Sequence, residues 1–146
     1  SSQAKLEELK EIAQTRIVRG KPLWDHPRFR DKFVEAQVEL KALEMTVMRV
    51  LSSMQAGADT GKPDPATSVI KIKGAQMIQR LTELFVEVAG EQAMPWTDGE
   101  LGDNARIGDA WVERAAPNYF NYRKSSIYGG SDQVQKGIIS KAILGL

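Results

Sequence analysis

The chain has 146 residues, 42% of them hydrophobic, enough for one domain with a substantial core and too few for two. Lys plus Arg number 20 against 19 for Asp plus Glu, a net charge of +1, so no long-range field gathers nucleic acid or an anionic membrane, and any anion must be held locally. Cysteine is absent, which excludes disulfides, thiol nucleophiles and thiolate metal sites and suits a reducing compartment such as the cytoplasm.

The opening SSQAKLEELKEIAQTR is polar and lacks the apolar stretch of a signal peptide. No run approaches the roughly 18 apolar residues of a membrane span. Leu6 to Arg16 reads as the end of a helix, stopped or turned by Gly20 and Pro22. A long helix is predicted from Pro27, a residue tolerated in a first turn because its missing N–H has no partner there. Its stripe is Phe29, Phe33, Ala36, Leu40, Leu43, Val47, Val50 or Leu51, and Met54, spaced by three and four. Gly57, Asp59, Gly61 and Pro63 end it.

Asp64 before Pro65 marks the next start, an oxygen cap ahead of a prolyl first turn. Ile70, Gly74, Met77, Leu81, Leu84 and Val88 continue the same spacing, with Gly74 a candidate for a close helix crossing. Two long helices joined by a short loop are expected to pack antiparallel. Between Gly90 and Gly108 the periodicity lapses, and Pro95, Gly99, Gly102 and Asn104 predict an irregular excursion. Trp111 to Tyr122 reads as a short helix interrupted near Pro117, and Val134, Ile138, Ala142 and Leu146 as the stripe of a closing helix. No strand is required, so the expected fold is all-α, an antiparallel up-and-down bundle. Val38, Met45, Met48, Ile72, Ile78 and Phe85 widen the apolar surface beyond one seam, which predicts either that the helices are central in the bundle or that a further domain or subunit covers them.

The densest chemical signal is RKSSIYGGSDQVQ, residues 123–135. The two glycines permit a tight turn, and Ser131 or Asp132 can cap the following helix. The ordinary reading is a good helix start. The sharper one is that unpaired N–H groups there, with the Ser131 hydroxyl and Arg123, meet an anionic or carbonyl-bearing ligand. Tyr128 is then either a core aromatic or a flat wall against a cofactor ring. Metal binding has poor support: Glu35 with Glu39 and Glu83 with Glu87 lack the Glu-x-x-His pairs of a diiron bundle, and His26, the single histidine, sits at a helix start where a cap or surface role is expected.

The ending IYGGSDQVQKGIISKAILGL resembles the signature of the acyl-CoA dehydrogenases, in which an aromatic, a two-residue turn, Thr or Ser and an E/Q-I/V-Q helix lead to an I-I-A-like run and LG. Arg16, Gly20 and Lys21 resemble the family's R-x-x-F-G-K/R stretch, with Arg19 where the aromatic stands. Glu87 to Glu91 loosely resembles its Q-x-x-G-G segment.

The resemblance implies a single helical domain over 1–146, the C-terminal part of a larger flavoprotein whose N-terminal helical and middle β-domains lie outside this sequence. It implies FAD in the intact protein, absent or weakly held by this chain alone. It also implies acyl-CoA as substrate and a homo-oligomer or related dehydrogenase subunit as partner. By the same resemblance Arg16 contacts the pyrophosphate of a neighbouring subunit's FAD, and Tyr128, Gly130, Ser131 and Gln133 lie near the flavin or its phosphate tail. Glu87 falls where a glutamine helps the nucleotide half. Gly129 occupies the position at which many members carry the glutamate that removes the α-proton, and glycine cannot act as a base. Other branches place that glutamate upstream, before Ser1. The implied activity is FAD-dependent α,β-dehydrogenation of acyl-CoA thioesters, with a non-catalytic structural or scaffolding subunit as the alternative, and this chain carries no catalytic residue.

Overall fold

A computed structural model describes residues 1–56, 64–95 and 108–145. Five α-helices carry the architecture: α1 (Ser2–Thr15), α2 (Pro27–Gln55), α3 (Pro65–Ala89), α4 (Ala115–Tyr122) and α5 (Asp132–Leu144). Short 3₁₀ turns at Leu23–Asp25, Gly90–Ala93, Val112–Arg114 and Arg123–Ser126 join or extend them. The starts of α2 and α3 follow from local chemistry: both carry proline in the first turn, and the Asp64 carboxylate accepts from Ala66 N at 2.8 Å. The predicted end of α2 at Gly57, Asp59, Gly61 and Pro63 lies outside the described residues.

α2 and α3 are antiparallel, as their cross-pairs show: Lys32 meets Glu87, while Glu35 meets Arg80. Helix α3 is central, packing against α1, α2, α4 and α5. The core gathers Leu6, Leu9 and Ala13 of α1, Phe29, Phe33, Ala36 and Leu40 of α2, and Met77, Leu81, Leu84 and Val88 of α3. That central position bears out one of the two explanations of the broad apolar faces: Ile72 is buried and Phe85 packs on the core. Gly74 marks no close crossing, because nothing lies within 4 Å of where its Cβ would stand.

The α2 stripe is buried through Leu40 and then opens: Val50 is covered, but Leu51 and Met54 are exposed. Val38, Met45 and Met48 are exposed as expected, joined by Val34. The stripe expected on α5 does not face the bundle. No α5 residue is buried, Val134, Ile138 and Ala142 are exposed, and Leu146 lies outside the described residues. Helix α5 instead turns Asp132, Gln135 and Ile139 inward, half-buried. Pro117 interrupts nothing: it sits in the first turn of α4, where a missing N–H costs no helical bond.

The fold class is all-α with one small departure. β1 (Ile17–Val18) and β2 (Lys21–Pro22) pair antiparallel, against the expectation that no strand occurs. The reason is the two-residue turn between them. Arg19 and Gly20 take φ of +50° and +81°, the pair of positive values that lets a tight hairpin follow the strand twist. His26 precedes Pro27 but makes no side-chain cap. Its ring Nε2 donates to Val18 O at 2.7 Å and ties the hairpin to the start of α2.

Candidate functional site

The residues singled out from the sequence fall into two groups at opposite ends of α3. Arg16 is at the end of α1, where the chain turns into the hairpin. Its Nη2 donates to Ala89 O and its Nη1 to Gln92 Oε1, both at 2.9 Å. The first bond satisfies a carbonyl at the α3 C-terminus, where the helix dipole favours a cation. Gly90 makes the approach possible. It takes φ +58°, and a Cβ there would stand 3.3 Å from Arg16 Nη2.

Arg16 and Gln92 border a cavity of about 410 Å³, with Thr15, Ile17, Asp109 and Trp111 among its lining. A guanidinium carries several N–H donors in a planar fork, so an arginine anchored by two of them can still present others to an anion. Gln92 was not among the residues picked from the sequence. The signal was a glutamine just past a helix-ending glycine, which local pattern alone does not distinguish from a surface residue. Glu87 is placed differently. It pairs with Lys32 of α2 at 2.8 Å, and it does not line the Arg16 cavity. The Lys32 partner neutralises the carboxylate that would otherwise oppose a phosphate nearby.

The other group surrounds the start of α5. Gly129 and Gly130 take φ of +67° and +92°, a left-handed pair that reverses the chain ahead of the helix. A Cβ on Gly130 would meet Gln135 Nε2 at 2.6 Å, while at Gly129 it would meet nothing within 4 Å. Ser131 is the N-cap, its Oγ accepting from Val134 N at 3.4 Å. The Asp132 and Gln133 N–H groups begin a helix of 13 residues, so both belong to the turn whose donors have no carbonyl partner within the helix. Gln133 and Tyr128 are exposed, so Tyr128 is not a core aromatic.

Arg123 takes no part in that turn, contrary to the sharper sequence reading. Its Nε donates to Tyr119 O at 3.2 Å, its Nη1 to Glu83 at 2.9 Å and its Nη2 to Gln79 O at 3.0 Å, and it lies over the Tyr119 ring at 4.3 Å. The residue clamps α4 to α3. Ser125, buried, accepts from Gln79 Nε2 at 3.2 Å and donates to Tyr122 O at 2.7 Å, completing the clamp. Three of the four carboxylates considered for metal are likewise engaged with cations: Glu35 with Arg80, Glu83 with Arg123 and Glu87 with Lys32.

Lys71 marks the α5 end of α3 and Ala89 the Arg16 end, so at a rise of about 1.5 Å per residue the two groups are separated by about 27 Å of helix. The two groups are therefore separate.

Comparison with known proteins identifies the arrangement. Residues 1–144 match the family described as acyl-CoA dehydrogenase, C-terminal domain. The acyl-CoA dehydrogenase IpdE1 of Mycobacterium tuberculosis is 28% identical over 125 residues, covering 84% of this chain and 28% of its own length. The chain thus spans under a third of that curated relative. Among solved structures, the ChsE4-ChsE5 complex from Mycobacterium tuberculosis superposes with a TM-score of 0.75 at 22% identity, covering 99% of this chain and 34% of that one. The FAD complex of PigA gives 0.73 at 20% identity, covering 99% and 33%. With the match running from residue 1 to residue 144, the chain belongs to the acyl-CoA dehydrogenase family, as its C-terminal helical domain.

Proposed function

We propose that this chain works within an FAD-dependent acyl-CoA dehydrogenase that oxidises the α,β-bond of acyl-CoA thioesters, and that it supplies parts of two cofactor sites. The observation that carries this reading is the division of the candidate residues between opposite ends of α3. Arg16 at one end is anchored beside a cavity of about 410 Å³, and the Gly129–Gly130 turn at the other opens on the first turn of α5. One end serves a flavin on its own subunit and the other a flavin on its neighbour. Both ends suit an anionic dinucleotide: a guanidinium fork at one, helix N–H groups and a hydroxyl cap at the other.

When bound, FAD supplies the hydride acceptor. Within that scheme Arg16 binds the pyrophosphate, with Gln92 fixing the guanidinium plane. Ser131, Gly130 and Gln133 hold the cofactor near α5, and Tyr128 walls it. Glu87, neutralised by Lys32, stands at the edge of the nucleotide half. Gly129 has no side chain to remove an α-proton, so this reading assigns that step to a group other than these residues. FAD in a structural relative and acyl-CoA in the name of a sequence relative support this assignment.

Gly129 favours a second reading, a subunit without catalytic power that completes a partner's site. No side chain exists there, and the space a Cβ would enter is open. The similarity to the ChsE4-ChsE5 complex supports such a partner.

Anaerobic titration separates the readings. The 146-residue chain alone is expected neither to retain FAD at micromolar concentration nor to bleach it with straight or branched acyl-CoAs, because half a pocket leaves the flavin in water. The same domain joined to its N-terminal helical and middle β-domains is expected to do both. Micromolar binding with acyl-CoA-dependent bleaching by the chain alone would refute the division. Failure of the longer protein, reversed by adding a companion subunit, would select the second reading.

Assembly follows from the same proposal. Val34, Val38, Met45, Met48 and Leu51 lie exposed along α2, and an apolar strip of that length favours a covered state. Sedimentation at tens of micromolar is expected to show a dimer or larger species. A clean 16.2 kDa monomer would count against it.

A further inference from the structure

Helix α5 has no buried residue, and Val134, Ile138, Ile143 and Leu144 are exposed. Apolar burial therefore does little to fix its first turn. Among the described residues, Lys71 is the cation that reaches that turn from α3. Lys71 Nζ donates to Ser125 O at 3.2 Å and stands 3.9 Å from Asp132 Oδ1. The Asp132 oxygen is buried and, among the described residues, accepts no hydrogen bond. At 3.9 Å the ammonium lies beyond hydrogen-bond reach, so its pull on Asp132 is coulombic. The two side chains are only 24% and 18% exposed, which limits screening by water and salt.

A carboxylate in a first turn is attracted to the helix's own positive end. There it competes with any incoming anion for the unpaired N–H groups and repels it. In this chain Oδ1 makes no hydrogen bond to the turn, and capping is left to Ser131 Oγ.

We infer that Lys71 is a positioning residue for the α5 half-site. It holds the Asp132 carboxylate against α3 and offsets its charge, so that the N–H groups of Asp132 and Gln133 stay open to a phosphate of the bound dinucleotide. This inference rests on the flavin reading above and adds to it a residue 61 positions away in sequence from the turn it serves. The requirement for a lysine comes from the aspartate: a neutral residue at 132 removes the need.

The test uses Lys71→Met, Asp132→Asn and the double variant in the protein that carries this domain with its companion domains. FAD affinity is read from quenching of flavin fluorescence. Lys71→Met is expected to weaken FAD by about tenfold or more, the scale of one charge interaction of about 1.4 kcal/mol. Asp132→Asn, which keeps the backbone N–H but removes the charge that opposes a phosphate, is expected to bind FAD at least as tightly as the unsubstituted protein, and the double variant to recover most of the loss. A lysine that only packs would give no such recovery. Unchanged affinity in Lys71→Met, or a loss that Asp132→Asn does not repair, overturns the inference.

A second readout needs no cofactor. Amide hydrogen exchange of the 146-residue Lys71→Met chain is expected to quicken at 132–136 by about tenfold while the α3 core amides keep their protection. If the unsubstituted longer protein holds no FAD, the flavin reading fails and exchange alone decides the positioning role. Unaltered exchange at 132–136 then refutes it.

Discussion

Phe33→Ala is expected to destabilise the chain by about 3–5 kcal/mol, the usual range for removing a buried aromatic and leaving a cavity. Phe33 is 2% exposed. It sits in the cluster where α1, α2 and α3 meet and takes the Trp24 ring edge-on, with centroids 5.1 Å apart and planes at 80°. The lost transfer energy, the cavity and the ring contact all act in one direction, against a total stability on the order of 5–15 kcal/mol for a domain. Urea unfolding followed by circular dichroism measures the change. Gln37→Ala, on the same helix but exposed and outside the apolar strip, serves as the control and should stay within about 0.5 kcal/mol. A loss under about 1 kcal/mol for Phe33→Ala would mean the three-helix junction is not the core.

Arg16→Met is expected to weaken FAD binding by about a hundredfold in the assembled protein. Removing a charged partner from a desolvated ion pair costs about 3 kcal/mol or more. The same substitution frees Ala89 O and Gln92 Oε1, with a cost to folding of about 1.5–3 kcal/mol, the range for hydrogen bonds to a charged group. The two effects separate by experiment. Gln92→Ala removes the guanidinium's side-chain partner while leaving the cation and its bond to Ala89 O, so it should cost FAD affinity less than Arg16→Met does. Equal losses in stability and no change in flavin affinity for Arg16→Met would assign the arginine to helix capping alone.

Much of the architecture was legible before any coordinates. The three-four spacing from Phe29 to Leu40 and from Met77 to Val88 predicts the antiparallel pair, since one stripe per helix must find a partner. Proline after Asp64 and after His26 fixes the helix starts, because a first turn is where proline costs least. The Gly129–Gly130 turn and the Ser131 cap are equally local, set by φ and by one side-chain acceptor. The hairpin at 17–22 escaped because an arginine in a left-handed turn position gives no compositional signal.

The sequence by itself determined the all-α class, the starts of α2, α3 and α5, the absence of thiol chemistry and the family, since these depend on residue type and near-neighbour spacing. Tertiary structure alone decided which of these residues work together. Arg123, adjacent in sequence to the glycine turn, is held by α3 and Tyr119, whereas Lys71, far away in sequence, reaches Asp132. Gln92 and not Glu87 joins Arg16, because the helix end at Gly90 turns one toward the cavity while Glu87 remains on the face of α3 that meets Lys32. The α5 stripe stays outside the bundle, while the half-buried Asp132 of its first turn meets Lys71 of α3. Periodicity specifies a face to be covered but carries no record of what covers it, and only the packing of distant segments supplies the partner.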